Sequence, residues 1–108
     1  MAELLFLLIA AHAVCDYPLQ GDFLAKAKNH TTPIPGVPWW IALVMHSLIH
    51  GGAVAILTGT WVLGLVETVL HIGIDHAKCR GWTGLGADQA LHIGCKIAYV
   101  AILAWGIA

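Results

Sequence analysis

The sequence predicts an all-α fold, a four-helix transmembrane bundle forming one membrane domain over residues 1–108. Three observations predict it. The chain is 59% apolar and only 10% charged, whereas soluble domains carry roughly 25% charged residues. A globule of 108 residues is mostly surface, and five Lys/Arg with six Asp/Glu could not cover it. No Asp, Glu, Lys or Arg occurs between Lys28 and Glu67, yet every apolar segment carries ionisable side chains spaced four apart. A net charge of -1 without a basic run excludes nucleic acid as the partner. Three cysteines and four prolines exclude disulfide-scaffold and collagen-like classes.

The first helix is expected over 2–17, apolar through Leu4-Leu5-Phe6-Leu7-Leu8-Ile9 and stopped before Pro18. The connection 19–36 is polar, holds Pro33 and Pro35, and reads as a surface loop with one amphipathic turn over 22–28. The second helix, 37–57, matches the roughly 20 apolar residues that span a bilayer. Pro38 suits its first turn, where a missing N–H costs nothing, and Trp39 and Trp40 suit the interfacial belt. Thr58-Gly59 turns the chain into the third helix, 60–78, whose run Trp61 to Val66 shows no polar face. Gly81 and Gly84 punctuate the passage to the fourth, 85–107. Lys26 and Lys28 lie in the first connection and Lys78 and Arg80 in the third, with no Lys or Arg in the second connection or near either end. The positive-inside rule then places the first and third connections in the cytoplasm and both termini outside.

Ionisable groups inside membrane segments are expensive and point to function. His12/Asp16, His46/His50, Glu67/His71/Asp75 and Asp88/His92/Lys96 are each four apart, so each helix presents one polar stripe. At 1.5 Å per residue His12 lies ~9 Å from the Pro18 end, His46 ~12 Å from Pro38, His71 ~12 Å from Cys79 and His92 ~9 Å from Gly86. Four segments therefore bring histidine to one level in the cytoplasmic half. His12, Asp16, His46, His50, His71, Asp75, Asp88 and His92 form a ligand set for a divalent transition metal, Zn(II) foremost, with Fe or Mn also suited. Eight ligands exceed one structural zinc. They imply either two metals or one metal with outer carboxylates orienting the imidazoles. Asp16, Asp75, Lys78 and Asp88 are the expected catalytic residues, with Lys78, Arg80 and Lys96 as contacts for an anionic group. Blander roles are expected for a Glu67–Lys96 ion pair, for His30 and His76 at the surface, and for Cys15 and Cys95 as small buried residues. A weak repeat relates His12-x3-Asp16 to His71-x3-Asp75 and His46-x3-His50 to Asp88-x3-His92. A duplicated hairpin would set these motifs opposite one another.

At these residues the chain resembles a known family. Ala11-His12-Ala13-Val14-Cys15-Asp16-Tyr17-Pro18-Leu19-Gln20 is similar to the "AH-x3-D-[FY]-x-LQ" opening of the bacterial and phage family called domain of unknown function 3307. His46 to His50 resembles its "H-x3-H", His71 to Lys78 its "H-x3-D-x2-K", and Asp88-Gln89-Ala90-Leu91-His92 its "DQ-x2-H". The resemblance implies a small polytopic inner-membrane protein with no established activity. It also implies that Gln20, Lys78 and Gln89 share one site with the eight ligands. Glu67 and Lys96 match no motif.

The expected function is a metal-dependent hydrolase or transferase acting at the cytoplasmic face on a membrane lipid or on a lipid-linked or phosphate-bearing substrate. One alternative is a component of a proton- or divalent-cation-conducting transporter or channel, for which Gly51-Gly52 and Gly73 hint at interrupted helices. Others are electron transfer through haem or di-iron, and a non-enzymatic phage or bacterial membrane partner. A homo-oligomer is also expected as an option, packed through a face such as Gly59 to Gly64.

Overall fold

The computed structural model describes residues 1–106. Five helices account for the fold in the order α1 (Ala2–Asp16), α2 (Gly21–Ala27), α3 (Trp39–Thr58), α4 (Trp61–Cys79) and α5 (Leu85–Ala104), with no strand among the described residues. The four long helices fall where the apolar segments predict them. The count of four needs correction, because the amphipathic turn of the first connection closes into α2. Gly21, at φ 62, lets the chain swing there, and α2 stands at 82° to α1. The last helix stops at Ala104 rather than running on to 107. Trp105 caps it and Gly106 turns away at φ 71; Ile107 lies outside the described residues.

The ends follow local chemistry. Pro38 sits extended before α3, and Gly59 ends that helix in the left-handed region at φ 69, which favours glycine. Extended Thr60 then starts α4 after a minimal turn, and Thr58 Oγ1 donates to Val54 O at 2.7 Å. The long helices form a closed ring in the order α1, α3, α4, α5, so α1 faces α4 and α3 faces α5 across the diagonals. The α3–α4 contact is the closest. A Cβ on Gly51 would stand 1.9 Å from Thr68 Oγ1 and 2.6 Å from Gly64 O, and one on Gly64 would stand 2.7 Å from Ala55 Cβ. Gly64 is therefore buried within the chain and is not open to a second copy. Both helices run unbroken through Gly51-Gly52 and Gly73, so the interruptions that hint at transport are absent from them.

The interior has two tiers. Leu8, Val54, Leu63 and Tyr99 form an apolar cluster, with Leu4, Leu57 and Leu103 packed against it. This tier joins the start of α1 to the ends of α3 and α5 and the start of α4, which fixes an up-down-up-down bundle. The other tier is polar: His46, His50, His71, Glu67, Asp88, His92 and Lys96 are each at most 2% exposed. The exterior is the reverse, with Phe6 70%, Ile56 82%, Trp61 73% and Val69 62% exposed. Taken singly, α3 is the one described helix long and apolar enough to cross a membrane, while α1 and α2 pass together only as a bent pair. The remaining long helices are shortened or charged: α1 has 15 residues, and α4 carries Glu67, Asp75 and Lys78.

Candidate metal centre

The antiparallel ring sets the C-terminal turns of α1 and α4 beside the N-terminal halves of α3 and α5. Residues four apart lie one above the other on a helix face, so each helix delivers its pair to the same layer. The ring centroids of His50 and His71 are 3.8 Å apart, those of His71 and His92 4.2 Å, and those of His46 and His71 5.1 Å. His12 stands 5.0 Å from His92 and 5.1 Å from His50. All five expected histidines are brought together with Asp16, Asp75 and Asp88.

Two carboxylates organise the layer. Asp16 Oδ1 lies 3.1 Å from His50 Nε2 and 3.4 Å from His46 Nε2, and the Nε2 atoms of His46 and His71 are 3.3 Å apart. One ligand atom from each of Asp16, His46, His50 and His71 falls within 4.8 Å of the other three. Asp75 Oδ1 lies 3.1 Å from His92 Nε2, while its Oδ2 lies 3.4 Å from the Nε2 of both His46 and His71. Asp75, Asp88 and His92 form a second such group.

The donor set fits a cation. A neutral imidazole carries one N–H, yet His46 Nε2 has Asp16, Asp75 and His71 all at 3.3–3.4 Å. One proton cannot serve three acceptors. Ligands bound to a tetrahedral ion at ~2.0–2.1 Å stand about 3.3–3.4 Å from each other, and the Asp16–His50, Asp16–His46 and His46–His71 pairs, at 3.1–3.4 Å, come close to that.

Around these donors sit groups that orient them. Glu67 Oε1 lies 3.3 Å from His71 Nδ1 and accepts from Lys96 Nζ at 2.5 Å, while Glu67 Oε2 accepts from Tyr99 Oη at 2.6 Å. The expected Glu67–Lys96 pair is thus formed, and it also holds His71. Gln89 Nε2 donates to Asp16 Oδ2 and Asp88 Oδ2, each at 3.1 Å, leaving its Oε1 to accept from His12 Nε2 at 3.0 Å. His12 is held differently from the other expected ligands. Its Nε2 faces Gln89 and its Nδ1 is buried without a hydrogen-bond partner among the described residues; it belongs to neither group above nor to a third formed by Glu67, His71 and His92.

The rim departs further from the sequence reading. Lys28 Nζ donates to Asp75 Oδ2 at 2.7 Å. Sequence reading assigns Lys28 to topology alone; the one signal for more is its place at the end of the amphipathic turn, next to Ala27, which is buried. A cleft of about 180 Å³ opens here, lined by Gln20, Lys28, Asn29 and Lys78, with Asp75 also in its wall. Lys78 is 44% exposed and 3.9 Å from Asp88 Oδ2, at the edge rather than among the donors. Arg80 and Lys96 do not reach the cleft: Arg80 donates to His76 and lies over Trp82, and Lys96 is buried on Glu67. His30 and His76 pack with Trp39 away from the donors, as expected. Cys15, Cys79 and Cys95 are free thiols.

An all-α fold with a buried histidine–aspartate cluster is the class that these observations define. The chain belongs to the family described as protein of unknown function DUF3307, whose model matches residues 4–107. Comparisons with curated proteins and with solved structures return no match.

Proposed function

We propose that this is an integral membrane protein in which α1, α3, α4 and α5 all cross the bilayer around a divalent-metal site, and that it is a hydrolase or transferase for a phosphate-bearing or lipid-linked substrate. The observation that carries the reading is the convergence of Asp16, His46, His50 and His71, from three helices, with one ligand atom of each within 4.8 Å of the others. Support for the membrane comes from the reversal of polarity, ions within and large apolar side chains without. In hydrocarbon, charged groups must turn inward and pair. The long dimension of 45 Å agrees with a bilayer of about 40–45 Å including headgroups. Lys28 and Lys78 stand at the cluster end of the bundle, which favours that end as cytoplasmic.

Asp16, His46, His50 and His71 would hold the metal, of which Zn(II) suits the donor set best and Fe or Mn are alternatives. A bound divalent ion supplies Lewis acidity and makes water nucleophilic near neutral pH. Glu67 keeps the His71 ring turned toward the donors, and Gln89 holds Asp16 and Asp88 in register. Lys28 and Lys78 flank the cleft and give it the positive charge that an anionic group needs, and Asp75 joins that cleft to the donors. Metal analysis after gentle detergent extraction tests the proposal. One or two first-row transition-metal atoms per chain are expected, falling below half of that in His50→Ala and Asp16→Asn. Folded wild-type protein free of metal overturns the reading. In liposomes, His50→Ala should lose hydrolysis of a lipid phosphate. Loss of cation flux with hydrolysis intact would instead favour transport.

A further inference from the structure

We propose that the cluster takes two cations, the second at Asp75, Asp88 and His92, with Asp75 between the two positions and Lys28 as the ammonium that neutralises Asp75 when the second ion is not bound. This rests on the metal-binding reading above and deepens it. Three observations carry it.

The first is the repeat. His12 Nε2 lies 3.4 Å from Asp16 Oδ2, and His71 Nε2 lies 3.4 Å from Asp75 Oδ2. His50 Nε2 lies 3.1 Å from Asp16 Oδ1, and His92 Nε2 lies 3.1 Å from Asp75 Oδ1. The helices that bear corresponding residues stand diagonally across the ring. Asp75, Asp88 and His92 thus occupy in one half the places that Asp16, His46 and His50 occupy in the other. Asp88 replaces a histidine, so this trio holds two carboxylates and is the harder, more anionic of the two.

The second is Asp88 itself. It is 1% exposed, and its Oδ1 has no hydrogen-bond partner among the described residues although His92 Nε2 is 3.5 Å away. A buried carboxylate oxygen left without a donor is costly, and a cation between Asp75, Asp88 and His92 would satisfy it. The third is charge. Glu67 is paired with Lys96, which leaves Asp16, Asp75 and Asp88 as three negative groups in one layer. One dication leaves a single negative charge, which Lys28 meets at 2.7 Å from Asp75, with its side chain 12% exposed, while Lys78 stands 3.9 Å from Asp88 at the rim. A second dication therefore takes the place of the ammonium. Lys28 follows the short peripheral α2 and lines the cleft, so its ammonium can leave Asp75 without disturbing the bundle. Its release places a positive charge in the cleft just as the second ion binds. Paired metals that share a carboxylate suit in-line displacement at phosphate, which narrows the substrate class to phosphate esters and anhydrides.

Mn(II) titration of detergent-solubilised, metal-stripped protein, followed by electron paramagnetic resonance, tests this. The wild type should bind two equivalents with an exchange-coupled signal, and Asp88→Asn should bind one with an uncoupled signal. Lys28→Met should tighten the second step by roughly tenfold, the scale on which outer partners tune a metal site. One uncoupled equivalent in both wild type and Asp88→Asn overturns the second position and leaves the single-metal reading standing. Binding of neither Mn(II) nor Zn(II) by the wild type overturns both. A second step unmoved by Lys28→Met overturns the role given to Lys28.

Discussion

Glu67 accepts hydrogen bonds from Lys96 and Tyr99 while facing His71 Nδ1, and this decides which nitrogen of His71 is free. With Nδ1–H given to Glu67, the Nε2 lone pair points to His46 and Asp75. In the other half of the repeat, the places of Glu67 and Lys96 are taken by Leu8 and Val54, both in the apolar cluster. The pair is therefore replaceable as packing but not as an orienting group. Lys96→Ala should destabilise the detergent-solubilised protein by about 3–5 kcal/mol, because it strands a buried carboxylate; thermal unfolding measures it. The combination Glu67→Leu, Lys96→Val and Tyr99→Phe should recover much of that loss, yet weaken metal binding about 10–100-fold. Unchanged affinity in the combined variant would show that Glu67 is only structural.

Neighbouring glycines give the test at the level of elements. Gly51 faces α4 so closely that a methyl group would overlap Thr68, whereas Gly52 meets nothing within 4 Å. Close approach of backbones through small residues is a recurring way to pack membrane helices. Gly51→Ala should cost about 1–3 kcal/mol by overpacking and should also loosen metal binding, because His50 and His71 move with α3 and α4. Gly52→Ala should be neutral or slightly stabilising; its unfolding temperature in detergent serves as the control. Equal effects would mean that the α3–α4 contact is not the tight one. Most helix limits were readable because Pro18, Pro38, Gly59 and Gly84 act locally. Helix α2 was readable only as an amphipathic turn, since its angle to α1 depends on packing against α3.

The molecule carries a polar tier inside and large apolar side chains outside, which in water would leave Phe6, Ile56 and Trp61 without cover. The proposed four-span topology makes a prediction that composition cannot. With Cys15, Cys79 and Cys95 replaced by serine or alanine, Thr60→Cys in the α3–α4 turn should react with an impermeant thiol reagent on intact cells. Gly84→Cys, at the cluster end, should react only after the inner membrane is opened. Gly84 has φ -89, and a Cβ there would meet no atom within 4 Å, so the substitution is sterically tolerated. The reverse pattern would invert the orientation, and labelling of both sites on intact cells would remove the crossing by α4, which lies between them.

What the sequence determined by itself is the helical class, most ends of the long helices and the layer in which the histidines meet. Each of these depends on periodicity, on capping or on rise per residue, and all three are properties of a single helix. Only the tertiary structure decided which atoms face one another. Gln89 engages His12 because α5 sets its amide between Asp16 and Asp88. Lys28, and not Lys96 or Arg80, reaches Asp75 because the chain bends at Gly21 and lays α2 across the end of the bundle. Spacing along a helix says which face a side chain shares. The partner it finds there depends on how separate helices pack, and no local pattern records that.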